Sequence, residues 1–126
     1  MNVLIFTLCD GAYNYNGKLT IVGTTDNIKV SKYPAFVSIG FAFKISFTPQ
    51  ETGAKNVSIR MLNHDGEDIM PIQQYPSIEP KTSKGADSRL CIGGNLQGIR
   101  FAEEGAYKVV VRVNNNEFSL PFIVTR

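Results

Sequence analysis

The segment from residue 37 to residue 47 alternates strictly between apolar and small or polar side chains, and it constrains the fold more than any other feature. Its apolar positions are Val37, Ile39, Phe41, Phe43, Ile45 and Phe47, and the positions between them are Ser38, Gly40, Ala42, Lys44 and Ser46. Successive side chains of a strand point to opposite faces, so this pattern predicts a β-strand with one face in the core. The small face fits either solvent or a close neighbour.

Period-two patterns and turn signals continue along the chain. Further strands are predicted at 3–9, 18–24, 27–30, 57–61, 90–92, 107–113 and 118–124, separated by Asp10-Gly11, Asn16-Gly17, Asp65-Gly66 and Asn114-Asn115-Asn116. No stretch of helical periodicity is present. We therefore predict an all-β protein, an antiparallel β-sandwich of about eight or nine strands with immunoglobulin-like Greek-key connections, in a single domain of residues 1–126. A closed barrel is the alternative.

Two positions, one inside a predicted strand and one directly after another, are expected to interrupt regular pairing. Pro121 lacks an N–H, so we expect the last strand to be either an edge strand or bulged there. Gly93-Gly94 predicts a bend or bulge.

Cys9 and Cys91 are the only cysteines. They are either a bridge between two sheets, as in secreted sandwiches, or free thiols in a reducing compartment. The apolar run after Met1 is short for a signal peptide and lacks a preceding basic residue. We therefore expect a cytoplasmic protein with free thiols.

Catalytic and metal-binding patterns are weak in this chain. The single histidine, His64, lies in a predicted turn, and the cysteines lack the spacing of a zinc site. The acidic cluster Asp65-Gly66-Glu67-Asp68 lacks a full calcium-loop pattern. Gly93–Gly98 is not followed by the helix that a phosphate-binding loop needs. We expect no enzyme activity, no metal and no cofactor.

Basic and acidic residues are interspersed, with a net charge of +2. Nucleic-acid binders usually concentrate Lys and Arg, and most aromatic residues here are assigned to the core, so we expect no nucleic-acid partner. No apolar run reaches the length of a membrane span, so no membrane association is expected.

The longest segment without periodicity covers residues 75–88 and reads as a long loop, which in compact domains is often functional. We take Tyr75, Lys81, Lys84 and Arg89 as the candidate interaction surface. The leading hypothesis is a non-enzymatic interaction or structural module whose sheet edge accepts a strand from an unknown protein or a second copy. The alternative is binding of a small ligand or carbohydrate by end-loop residues such as Asp10, Asn14, Tyr15, Tyr75 or Arg89.

Several short motifs, taken in order, resemble one family. They are Leu8-Cys9-Asp10, Gly17-Lys18-Leu19 with Ile21-Val22-Gly23-Thr24 and Asp26, Asp65-Gly66, Asn95-Leu96-Gln97-Gly98, Phe101, Gly105 with Tyr107, and the closing strand to Val124. This set is similar to an uncharacterised bacterial family, a domain of unknown function. The resemblance implies an immunoglobulin-like sandwich and implies no activity.

Overall fold

In a computed structural model that describes residues 1–51, 53–80 and 87–126, the chain forms nine strands and, within those ranges, no helix. The strands are β1 (Asn2–Tyr15), β2 (Lys18–Thr25), β3 (Asn27–Lys29), β4 (Ala35–Phe47), β5 (Val57–Leu62), β6 (Gln73–Gln74), β7 (Ser88–Phe101), β8 (Gly105–Val113) and β9 (Asn116–Thr125). The predicted all-β class is confirmed.

The strands form two sheets. The first has the order β2-β1-β4-β7, and the second has the order β3-β9-β8-β5-β6. All described strand pairs are antiparallel except β3 with β9, which run parallel, so the expectation of a purely antiparallel fold is wrong at that pair. The second sheet curls like half of a barrel. The immunoglobulin-like arrangement therefore stays a prediction.

The phenylalanine-rich face of β4 lies at the centre of the hydrophobic core, as predicted. Phe41, Phe43 and Phe47 are each at most 1% exposed, and they cluster with inward side chains of the second sheet. The ring of Phe43 meets Phe6 edge-on at 5.2 Å between centroids and lies 6.0 Å from Phe118. Burial of each phenylalanine contributes about 1.5–3 kcal/mol, so β4 fixes the two sheets around one core.

Glycine and asparagine turns shape the hairpins. Asn16 and Gly17 adopt φ of 51° and 76°, and the Asn114 φ is 53°, which fits the tight two-residue turns predicted there. The predicted turn at Asp10-Gly11 is wrong, because the β1–β2 pairing continues through it from Cys9 to Gly11. These residues lie inside a long strand.

The predicted bulge at Gly93-Gly94 is also absent, because both glycines keep a regular register with β4. The irregularity in β7 falls instead beside Gly98, whose φ is 63°. Gly93 serves close packing: a Cβ there would lie 3.1 Å from a Leu19 methyl carbon.

Candidate binding surface on the β1–β2 hairpin

The β1–β2 hairpin folds back over the outer face of the first sheet. β1 pairs with β4 only as far as Cys9, and its remaining residues pair with β2. The inner side of the hairpin buries Ala12 against Cys9 and Ala42, with Leu19 and Ile21 packed around them. The small face of β4 is therefore covered by the hairpin at Gly40 and Ala42, whereas Ser38 on the same face is exposed.

Small residues allow the hairpin to approach the sheet closely. A Cβ on Gly40 would lie 2.9 Å from the Cys9 sulfur and 2.9 Å from the Gly11 Cα. Ordinary carbon contacts are about 3.5–4.0 Å, so a larger residue at this position would lift the hairpin.

Two asparagine side chains fix the hairpin to β7. The Asn95 amide donates to the Ala12 carbonyl at 3.2 Å and accepts from the Ala12 N–H at 3.4 Å. Asn14 Nδ2 donates to the Cys91 carbonyl at 3.0 Å. Ala12 is 1% exposed, and Asn95 satisfies backbone groups that would otherwise be buried without a partner. The hairpin is therefore held by side-chain hydrogen bonds to β7 as well as by the backbone hydrogen bonds between its own two strands.

The opposite side of the hairpin faces solvent and carries two tyrosines. We call this surface the hairpin face; it consists of Tyr13, Tyr15, Lys18, Thr20 and Val22, whereas Gly11 on the same side is buried next to the Tyr13 ring. Tyr13, Tyr15 and Val22 are 59%, 74% and 55% exposed. Lys18 is exposed and lies directly opposite Tyr15 in the β1–β2 register. Apolar and aromatic area is thus left uncovered beside one cation.

Clefts of roughly 300–1,000 Å³ suit small ligands, and a crevice of about 480 Å³ opens beneath the hairpin tip. Asn14 and Arg89, two of the predicted end-loop residues, both line it. Glu79 and Asp87 add carboxylates, and Ile78, Pro80 and Leu90 add apolar surface. The crevice therefore combines an apolar wall with polar groups of both signs.

The predicted interaction surface is divided between different places. Arg89 is exposed at the crevice, whereas Tyr75 lines a separate 270 Å³ crevice with Asn56 and Arg112. The Tyr75 ring packs against the core, and burial raises the pKa of its hydroxyl. Lys81 and Lys84 lie outside the described residues. The structure thus assigns Arg89 and Tyr75 to different crevices.

His64 lies in the turn after β5, as expected from the sequence. Its Nε2 atom is 3.5 Å from an Asp65 carboxylate oxygen and 4.0 Å from a Glu103 carboxylate oxygen, and its side chain is 47% exposed. Both cysteines lie in the first sheet instead, so the structure does not bring imidazole and thiol together. Among the described residues, no three His, Cys, Asp or Glu side chains converge in a way that could hold a metal ion.

The two cysteines are free and lie apart on the first sheet. Cys9 pairs with Gly40 and Cys91 with Lys44, on opposite sides of β4. Strand geometry then separates their Cα atoms by on the order of 15 Å, which is too far for a disulfide. Burial raises the pKa of the Cys9 thiol, so this sulfur is a packing group.

β9 has an open edge over the part of its length that β3 does not cover. Within the described ranges, β3 pairs only with Ile123–Thr125. The Ile123 N–H points away from β8 and donates to the Asp26 carbonyl at 2.9 Å. Because backbone groups of a strand point to alternate sides, the residue two positions earlier, Pro121, is the next one whose backbone nitrogen points away from β8. Pro121 has no N–H to offer there. The predicted edge position of Pro121 is confirmed, and the proline makes this edge a poor acceptor for another strand.

Sequence reasoning named Tyr15 as a candidate end-loop residue but did not predict the hairpin face, because it ended the first strand at residue 9 and left both tyrosines in a loop. The usable signal was the alternation itself. Tyr13 and Tyr15 share one parity, and Ala12 shares the other with Asn14. Since the strand continues through Asp10-Gly11, this parity assigns the tyrosines to a single face.

The comparisons with known proteins identify a family and a fold. The chain matches the model of a family of unknown function, DUF6941, over residues 4–125. A search of curated proteins found no match. The chain is also similar in structure to the alkylpurine DNA glycosylase AlkC of Pseudomonas fluorescens, solved bound to DNA containing an abasic site analogue, with a TM-score of 0.62 and 14% sequence identity. The match covers 99% of this chain and 30% of that chain.

This likeness corrects one expectation from the sequence, namely that nucleic acid is excluded as a partner. A region with a similar fold makes up 30% of the glycosylase chain, and that protein was solved bound to DNA. The expectation also rested on most aromatic residues lying in the core, and Tyr13 and Tyr15 are two that are exposed. Within the described part of the chain, no helix has the length and apolarity needed to cross a membrane.

Proposed function

The chain belongs to DUF6941, a family of unknown function, and we propose from its own surface that it is a non-catalytic binding module. Its contact surface is the hairpin face. The observation that carries this proposal is the exposure of Tyr13 and Tyr15 beside Lys18 on a hairpin whose other side is packed down. Exposed aromatic area on a rigid element is typical of recognition surfaces.

We propose nucleic acid as the class of partner. Aromatic rings beside basic side chains are the combination that binds nucleic acid through base stacking and phosphate contacts. The five residues of the hairpin face, all described, include one cation and no carboxylate. The structural similarity to a DNA-bound glycosylase supports this partner class.

Fluorescence anisotropy with labelled oligonucleotides tests this function. We expect binding that weakens with salt, and we expect Lys18→Ala to reduce the slope of log K against log salt by about 0.7–0.9. Lys108→Ala is the matched control, because Lys108 is an exposed strand lysine on the other sheet. Absence of binding to both single-stranded and duplex oligonucleotides at low salt would refute the proposal.

A second candidate function is supported by the 480 Å³ crevice. We propose that a small ligand or carbohydrate could be held there by Arg89 and Asn14 against the apolar wall. A thermal-shift screen of sugars and small acids, repeated with Arg89→Ala, tests it. A ligand whose stabilising effect is equal in both proteins does not use this crevice.

At the level of fold, we propose a single immunoglobulin-like domain of residues 1–126. The neighbours β1-β4-β7 and β5-β8-β9 support the arrangement of strands that such domains use. The Tyr107 hydroxyl donates to the Glu103 carbonyl at 2.6 Å, which is the bond made by a tyrosine corner. An experimental structure with a different strand order would contradict this proposal.

We also propose a bacterial cytoplasmic location, supported by the two free thiols. Cell fractionation with thiol labelling tests it. Recovery of the protein in an oxidising compartment would contradict it.

A further inference from the structure

We infer that the hairpin face binds unpaired nucleobases, by stacking them on Tyr13 and Tyr15. This inference rests on the proposed function and adds the form of nucleic acid that is recognised. The two rings are 59% and 74% exposed and protrude from the same side of one strand. Base stacking on an aromatic ring needs such an uncovered π-face and tolerates any base.

The rings provide two separate stacking positions. Residues two apart in an antiparallel strand are about 7 Å apart, which is about twice the 3.4 Å rise of stacked bases. The Tyr13 ring also lies over Gly11, with its Cε2 and hydroxyl atoms 3.4 Å from where a Gly11 Cβ would be. It therefore leans away from Tyr15. One base cannot cover both rings, so each tyrosine takes its own base.

The charge of the surface favours an unpaired strand over a duplex. Binding to duplex DNA without base readout depends on several Lys or Arg contacts to phosphates, and the hairpin face has only Lys18. Stacking must then supply most of the affinity, and the base faces of a duplex are already covered by their neighbours. Lys18, opposite Tyr15, is placed to contact a phosphate next to the base on that ring.

The support beneath the hairpin makes the surface preorganised. Asn95 bonds both backbone groups of Ala12, between Gly11 and Tyr13. Gly40 and Ala42 hold the inner side at close contact. Binding therefore loses little backbone entropy, which improves affinity without further contacts.

The experiment measures the affinity of a labelled oligothymidylate of about 12 nucleotides and of a blunt duplex of the same length, by anisotropy in low salt. We expect the single strand to bind at least about tenfold more tightly than the duplex. The double variant Tyr13→Ala/Tyr15→Ala should weaken single-strand binding by about 5- to 150-fold for each ring that takes a base. Tyr13→Phe/Tyr15→Phe should retain binding, whereas Tyr13→Leu/Tyr15→Leu should lose it, because leucine keeps apolar area but has no π-face.

Phe36→Ala is the matched aromatic control, because Phe36 is 69% exposed and lies outside the hairpin. Its affinity should equal that of the unmodified protein, and thermal melts should show that all variants fold. Equal binding of duplex and single strand would overturn this inference and leave the proposed function standing. Single-strand binding that survives loss of both tyrosines would also overturn it. Absence of binding to either oligonucleotide would refute the proposed function itself.

Discussion

Replacing Gly40 with alanine tests whether the β1–β2 hairpin is seated on the outer face of the first sheet. The new Cβ would lie 2.9 Å from the Cys9 sulfur, 2.9 Å from the Gly11 Cα and 3.0 Å from the Ala12 nitrogen. Carbon contacts in packed interiors are about 3.5–4.0 Å, so the neighbours must move by roughly half an ångström or more. Two of these three atoms belong to backbone, which cannot rotate away as a side chain can.

The expected cost combines two opposing effects. Overpacking an interior by a methyl group costs about 1–3 kcal/mol. Alanine also stabilises the folded state by about 0.4–1 kcal/mol, because it lowers the conformational entropy of the unfolded chain. This gain applies here because the Gly40 φ is not in the left-handed region. The net destabilisation is about 1–2 kcal/mol. For 126 residues, an unfolding entropy of about 2.1 cal/mol/K per residue converts this to a fall in Tm of roughly 4–8 °C.

Thermal melts and thiol labelling provide the assay. If the hairpin lifts, Tm falls and Cys9, which is 2% exposed, reacts faster with a thiol reagent. Gly11→Ala is the control, because the three atoms nearest to its Cβ would all belong to the Tyr13 side chain, at 3.4–3.7 Å. A Gly40→Ala protein with unchanged or higher Tm and unchanged Cys9 labelling would refute the covered-face assignment.

Three further predictions concern the core, an ion pair and the open edge. Phe43→Ala should lower the free energy of unfolding by about 3–5 kcal/mol. Lys44 is partly exposed on the other face of β4, so Lys44→Ala should change that free energy little. Equal effects of the two substitutions in chemical denaturation would contradict the strand assignment. Arg60 donates to the Asp68 carboxylate at 2.9 Å and holds the pKa of that carboxyl below its ordinary value. The stabilisation of the folded state by this ion pair is therefore present above about pH 4 and is lost as pH falls through the lowered pKa. Asp68→Asn should flatten that acid decline in stability, and Glu67→Gln in the same loop should not. Pro121→Val restores an outward N–H on β9, so light scattering should show more self-association than for the unmodified protein; identical scattering at all concentrations would contradict the role assigned to the proline.

Much of the fold was predictable because burial and strand geometry leave a clear pattern. The alternation from Val37 to Phe47 requires one apolar face, and the structure buries Phe41 and Phe43. Asn16-Gly17 tolerates positive φ and therefore marks a hairpin turn. In contrast, Asp10-Gly11 has the composition of a turn but lies within β1. Its glycine allows the Tyr13 ring to lie over the strand, a contact that local composition does not reveal.

The candidate site was much less predictable than the fold. The sequence contains Tyr13, Tyr15 and Lys18, but their exposure depends on which side of the hairpin packs against the sheet. It also contains Tyr75 and Arg89, which were grouped by their closeness in sequence and lie in different crevices. A chain position specifies a residue type, whereas a surface depends on neighbours that are distant along the chain.

The sequence by itself determined the position of most strands but not the full length of β1 and β7, and it determined most turns, the buried face of β4 and the family resemblance. These follow from side-chain periodicity and backbone preferences within short segments. Only the tertiary structure decided that the small face of β4 is covered at Gly40 and Ala42 and that two tyrosines are left in solvent. That outcome depends on long-range contacts, such as those of Asn95 with Ala12 and of Gly40 with Gly11. Small residues permit close packing, but they do not specify which element packs against them.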